Sequence, residues 1–156
     1  MVAKSTVSKI WLIGFIVGVC AMMAFHQGSL HILHHHSAKL PALLDIFGRF
    51  PRAYDFTPLR ANGVPLLAML GLWGGIWGIM IATLVRLTRI ASFDLPLGLL
   101  FGAFVITFVE TTELPTLLGL PRLPSGNEQT MLRAALLNGA FGFGTAFFLR
   151  PFAVRG

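Results

Sequence analysis

The stretch "VPLLAMLGLWGGIWGIMIATLV", Val64 to Val85, contains no charged residue. A helix needs about 20 predominantly apolar residues to cross a bilayer, and this run is long enough. It predicts a transmembrane helix. Gly71, Gly74, Gly75 and Gly78, with Ala82, fall within roughly 100° of arc at 100° per residue. Trp73 and Trp77 fall on the other side, towards lipid or a second partner. A helical glycine costs ~1 kcal/mol against alanine, so a stripe of them implies a contact that offsets the loss. Lipid tails are as apolar as leucine, and helices in a bilayer associate by close packing of small residues. The stripe is therefore a surface for another backbone.

Three further apolar runs flank it. The first spans about residues 10–33, with Gln27, Ser29 and His31 in its outer turns. The third spans about 95–114 and carries Glu110 in its last third; the fourth spans 131–149, with Arg133 and Arg150 at its ends. Arginines there can extend their heads to the interface. Each run has its own small residues: Gly14, Gly18, Ala21 and Gly28; Gly98 and Gly102; Ala135, Gly139, Gly142 and Ala146. The expected fold is all-α, a single integral membrane domain over 1–156 built as a four-transmembrane-helix bundle. The stripes suit a tight bundle, or one of them faces a partner subunit in a homo-oligomer or larger membrane complex.

Composition agrees. Of 156 residues 55% are hydrophobic and 12% charged, with mean hydropathy +0.77. Soluble domains carry about 25% charged residues. The net charge of +6 is spread between and beside the apolar runs, which argues against a nucleic-acid partner and for cations flanking spans. Lys4 and Lys9 before the first run resemble the start of a signal peptide, but the run exceeds a signal core of ~7–15 residues. Ala21-Met22-Met23-Ala24 is a poorly spaced cleavage site. An uncleaved anchor is expected. The single cysteine, Cys20, excludes an internal disulfide and reads as a small packed core residue.

Orientation follows from the cations. Lys4, Lys9, Arg86, Arg89, Arg150 and Arg155 share one side, against Asp94 alone. Lys39, Arg49, Arg52, Arg60 and Arg122 on the other side are offset by Asp45, Asp55, Glu113 and Glu128 on longer loops. The positive-inside rule puts both termini in the cytoplasm. The first external loop, about 34–63, is long. Leu43, Leu44, Phe47 and Phe50 recur at helical spacing, with Asp45 and Arg49 as i,i+4 partners. This predicts a short interfacial helix on the membrane surface or a plug on the bundle mouth. The chain through Pro51, Pro58 and Pro65 should run extended to the second span. Residues 115–130 carry three prolines and a Ser-Gly-Asn cluster, a loop.

All five histidines fall within "FHQGSLHILHHH", Phe25 to His36. His31 and His35 have the i,i+4 spacing of two ligands on one metal, which Asp45, Glu110 or Glu113 would complete. The competing reading is a solvated helix end. A bis-histidine haem draws ligands from two helices, so haem is not expected, and no cofactor is. Ser29 beside His26 makes no convincing nucleophile, and no phosphate loop or HExxH is present. His26, Gln27 and Glu110 carry more weight, because polar and ionisable groups inside spans face the bundle interior. His26 and Glu110 should lie at similar depth, with Asn138 a third member nearer the inner half. They form either a polar pocket for a proton, ion or small ligand, or a structural hydrogen-bond pair joining the first and third helices.

The pairing of "AFHQGSL" with "GVPLLAMLGLWGGIWG" resembles a family of small bacterial integral membrane proteins, through its FHQ and WGGxWG elements. The likeness covers about a third of the chain. It implies a bacterial inner-membrane home and no mechanism. The expected function is a non-enzymatic structural or accessory membrane subunit. The alternative is a small channel or transporter using His26 and Glu110.

Overall fold

The computed structural model describes residues 2–88, 93–124 and 126–152, with side chains from residue 7 onward. Arg89 and Arg155, two of the cations used for orientation, and Ser125 of the turn cluster lie outside the described residues. The chain is all-helical, and no strand forms among the described residues beyond one isolated bridge between Pro58 and Pro65.

Three helices are long and apolar enough to cross a membrane: Val7–Lys39, Leu66–Thr88 and Glu128–Phe152. The first is composite. Helix α1 (Val2–Ala21) runs into a π-helical stretch, Met22–Gln27, and continues as α2 (Gly28–His36). It outruns the predicted span because a helical ladder, once nucleated, propagates cheaply into polar surroundings. Helix α3 (Pro41–Phe47) follows, started by proline at its first turn and stopped by Gly48 at φ 66°. Helix α4 is Leu66–Thr88.

The next rod is α5 (Asp94–Leu100), a second π-helical stretch (Phe101–Ile106) and α6 (Thr107–Glu110). It ends at Glu110, four residues before the predicted boundary at Leu114. The hydroxyls of Thr111 and Thr112 take the carbonyls of Phe108 and Val109 at 2.7 and 2.6 Å, and the chain turns away. Helix α7 (Glu128–Leu149) is capped by Asn127, whose side chain accepts from the Thr130 N–H at 3.0 Å.

The rods pack as two glycine-seamed pairs. Helix α1 lies along α4, with Gly14 and Gly18 against Gly74, Gly78 and Ala82. Helix α5 and its π stretch lie along α7, with Gly98 and Gly102 against Gly142 and the Asn138 carbonyl. At Gly18, Gly78, Gly102 and Gly142 an added Cβ would collide with backbone of the facing helix. Gly75 instead seats the Phe15 ring and Gly144 the Phe25 ring. Gly139 faces Leu99 and Ala103, and Gly71 faces Val19 and Met23. Gly28 belongs to no seam, since only the Tyr54 hydroxyl comes near it.

One open alternative is decided here and one expectation changes. Trp73 and Trp77 do not face lipid: they are 4% and 7% exposed and stack edge-on, and Trp77 meets Phe101. The wide side of α4 therefore packs on the other pair, because two indoles fill the gap that the seams leave between pairs. Cys20 is exposed rather than packed, since Gly14, Gly18 and Ala21 take the inward face of α1.

Helix α3 is anchored to α7. Gln129 donates to the Asp45 carbonyl at 2.9 Å, and Arg133 to the carbonyls of Phe47 and Arg49 at 3.0 and 2.8 Å. Phe50 is buried with Leu30, Ala53 and Leu137, and Phe47 packs on that cluster. The expected Asp45–Arg49 pair does not form, because α3 stops at Phe47 and leaves Arg49 beyond the helix. Replacing Arg133 by Gln should cost about 1–2 kcal/mol. Amide exchange at Gly48 and Phe50 should then quicken; unchanged exchange there would argue against the tether.

Candidate functional site

At one end of the seams the rods and loops line a cavity of about 320 Å³. Its polar floor comes from all four rods: His26 and Gln27 from the first, Glu110 from the end of α6, and Trp73 and Asn138 from α4 and α7. Leu30, Leu66, Leu70 and Leu137 form an apolar belt. Arg52, Asp55 and Arg133 stand on the wall formed by the loops and the start of α7. All four pocket residues expected from the sequence, His26, Gln27, Glu110 and Asn138, line this one cavity.

The π-helical stretch places the first two. A π turn holds one residue more than an α turn and leaves a carbonyl without its usual partner. Tyr54 compensates: its hydroxyl donates to the Met23 carbonyl at 3.1 Å. Its backbone N–H donates to Gln27 Oε1 at 2.9 Å. Tyr54 makes these contacts at φ 55°, a left-handed conformation that a bulky residue adopts only under constraint. With Gln27 Oε1 occupied, its amide nitrogen donates to His26 Nδ1 at 3.2 Å. His26 therefore accepts at Nδ1 and carries its proton on Nε2.

Across the cavity, one Asn138 amide nitrogen donates to Thr107 Oγ1 at 3.1 Å and to Glu110 Oε2 at 2.8 Å. Thr107 and Glu110 are i,i+3 on one helix face, so a single asparagine reads both. Trp73 lines the same cavity as the Glu110 carboxyl. No hydrogen bond or ion pair joins His26 to Glu110 among the described residues. The polar link thus knits the third rod to α7, and does not tie it to the first. Asn138 meets Glu110 at one level, and is not placed towards the inner half. The rod ends early at Glu110, and Asn138 lies about 15 Å along α7 from its start at the α-helical rise.

Two loops complete the lining, the first through Pro51, Arg52 and Asp55 and the second through Pro115, Leu120, Pro121 and Leu123. Leu59–Val64 folds as a tight turn, with Gly63 at φ 71° and a 2.8 Å bond from the Leu59 N–H to the Val64 carbonyl. The extended run expected through Pro58 and Pro65 is therefore a hairpin. Asn62 ties this turn to the second loop through the Leu118 carbonyl at 3.2 Å. That loop returns to the rod by the Leu123 N–H on the Glu110 carbonyl (2.8 Å) and Arg122 on the Thr111 carbonyl (2.7 Å). Arg122 also pairs with Glu113. The Thr57 hydroxyl and N–H beside Asp55 hold its carboxyl below the usual carboxylate range.

Below the floor the core is closely packed. Phe141, Ile106, Ile81 and Ala82 are at most 1% exposed, and the Thr145 hydroxyl is spent on the Phe141 carbonyl at 2.9 Å.

The remaining histidines stand apart. His31, His34, His35 and His36 are exposed. The His31 and His35 rings are 4.5 Å apart edge-on, and His34 Nδ1 donates to the Phe50 carbonyl at 2.8 Å. Among the described residues no group of three His, Cys, Asp or Glu side chains converges as metal ligands would. Of the carboxylates weighed as a third ligand, Glu110 is held by Asn138 and Glu113 by Arg122.

Sequence reasoning missed Tyr54, Thr107 and the inward role of Trp73. The signal for Thr107 was present, three residues before Glu110. Nothing local marks Tyr54, which acts through a positive φ and contacts far away in the chain. No protein-family model matches the chain, and neither does a curated protein or a solved structure.

Proposed function

We propose that this chain is a four-span protein of a bacterial inner membrane, with both termini cytoplasmic, that holds a small ligand and does no chemistry on it. The rod Asp94–Glu110 would be the fourth crossing, at the short end of the ~17–25 residues a span takes. One observation carries the reading: the polar groups of all four rods converge on one cavity at the end of the helices, beside two loops tied together. Pockets of roughly 300 Å³ and more with an apolar lining and a few fixed polar groups are the usual form of small-molecule sites. An accessory role beside a larger membrane complex fits a protein that binds and presents a ligand. Transport fits less well, because a permeating ion needs a polar file, and the packing beneath Asn138 is apolar and close.

Filling the cavity tests this. Ala134 lines it from α7. Native mass spectrometry of the protein released from nanodiscs should find a bound small molecule. Ala134→Phe should reduce its occupancy roughly tenfold by excluding volume while the rods stay packed. Wild-type protein without bound molecules, or equal occupancy in the filled variant, contradicts the reading.

A further inference from the structure

The hydrogen-bond inventory of the cavity narrows what enters it. The tautomer of His26 is set from outside the cavity, by the chain Tyr54 N–H to Gln27 to His26 Nδ1. The imidazole nitrogen left over, Nε2, is a donor. Opposite, the Glu110 carboxyl is positioned by Asn138, and a carboxylate oxygen accepts more than one hydrogen bond. Both protons of the Asn138 amide nitrogen are already spent on Thr107 and Glu110. Among its groups the floor therefore offers a donor at His26 and an acceptor at Glu110, from two different rods. The charges on the lining balance in sign, Arg52 and Arg133 against Asp55 and Glu110. A charged head would have to leave water for a lining with no excess of either sign, which is costly. Leu30, Leu66, Leu70 and Leu137 on the same lining give an apolar body a surface to rest on.

We infer that the cavity takes a neutral amphipathic alcohol or phenol, its hydroxyl donating to Glu110 and accepting from His26, its apolar body on the leucine belt. A hydroxyl is the smallest neutral group that supplies both halves of that exchange. The inference rests on the ligand-binding reading above and adds the chemical class.

The test compares para-trifluoromethylphenol with its methyl ether, which keeps the shape and the acceptor but lacks the donor. Each is titrated against the full chain in nanodiscs and against empty nanodiscs, and followed by fluorine NMR. The phenol should show saturable binding that empty nanodiscs lack. The ether should bind roughly tenfold or more weakly, as expected where a buried acceptor is left unpaired. Glu110→Gln should weaken the phenol about fivefold or more and leave the ether unchanged, whereas His26→Phe should weaken both, because the ether oxygen still accepts from His26. Equal affinities of phenol and ether for the wild type would overturn the ligand class while leaving the cavity reading intact. Absence of saturable binding by either, together with no bound molecule in native mass spectrometry, would remove both.

Discussion

Gly78→Val should unfold or severely destabilise this protein, by about 3 kcal/mol or more, the upper end of what overpacking a close-packed interior costs. The reason is that the obstacle is backbone. A Cβ on Gly78 would collide with the Gly14 carbonyl oxygen and lie 2.6 Å from the Gly18 Cα and 2.9 Å from its nitrogen. A flexible side chain could swing away from such an intruder; a helix backbone cannot. The α1–α4 seam would have to open along its length, and the dispersion contacts that replace the hydrophobic effect in lipid would go with it. Gly142→Val should behave alike on the other seam, where the Gly98 carbonyl is the obstacle and the Gly102 Cα lies 3.2 Å away. Gly28→Ala is the control. Its only neighbour is the Tyr54 hydroxyl at 3.9 Å, so the substitution should be neutral or stabilise by up to ~1 kcal/mol through helix propensity. Denaturation in mixed micelles, followed by circular dichroism, reads all three. A Gly78→Val protein as stable as Gly28→Ala would mean the seam is not where the helices meet.

The second large effect concerns the π-helical stretch Met22–Gln27. Deleting Ala24, whose side chain is exposed, removes no core contact but takes out the extra residue. The helix should then run as a regular α-helix, and its two halves should turn against each other by roughly 100°. The glycine seam holds the N-terminal half, so the C-terminal half rotates. His26, Gln27 and Leu30 leave the cavity wall, and Tyr54 loses both its partners, the Met23 carbonyl and Gln27 Oε1. The expected result is loss of the bound molecule in native mass spectrometry, with a fall in Tm of about 5–10 °C from the broken Tyr54 contacts and the opened Leu30 cluster. A deletion variant that keeps its ligand and its Tm would show that the π turn is incidental to the site.

Several features were readable in the residues because they depend on local composition alone. The charge-free run Val64–Val85 is a helix, as the α4 helix Leu66–Thr88 records. The glycines expected to meet another backbone do meet one at Gly14, Gly18, Gly74, Gly78, Gly98, Gly102 and Gly142. Glu110 and Asn138, polar groups out of place in apolar runs, both turn up on the cavity floor. Other features were not readable. Cys20 was read as packed, yet periodicity cannot tell which side of a helix a neighbour will cover. Trp73 and Trp77 had two open directions, and only the spacing between the glycine-seamed pairs turned them inward.

The sequence by itself determined the solvent and the secondary structure: long apolar stretches must satisfy their backbone internally, and a helix does so with contacts no more than a turn apart. It also determined which faces are flat, since a stripe of small residues is a property of one helix. Only the tertiary structure decided which flat faces meet. It decided that Asn138 holds Glu110 while His26 turns to Gln27, and that Tyr54, in a left-handed conformation, clamps a π turn. Those choices compare the register and depth of segments far apart in the chain, and such comparisons exist only once the rods are packed.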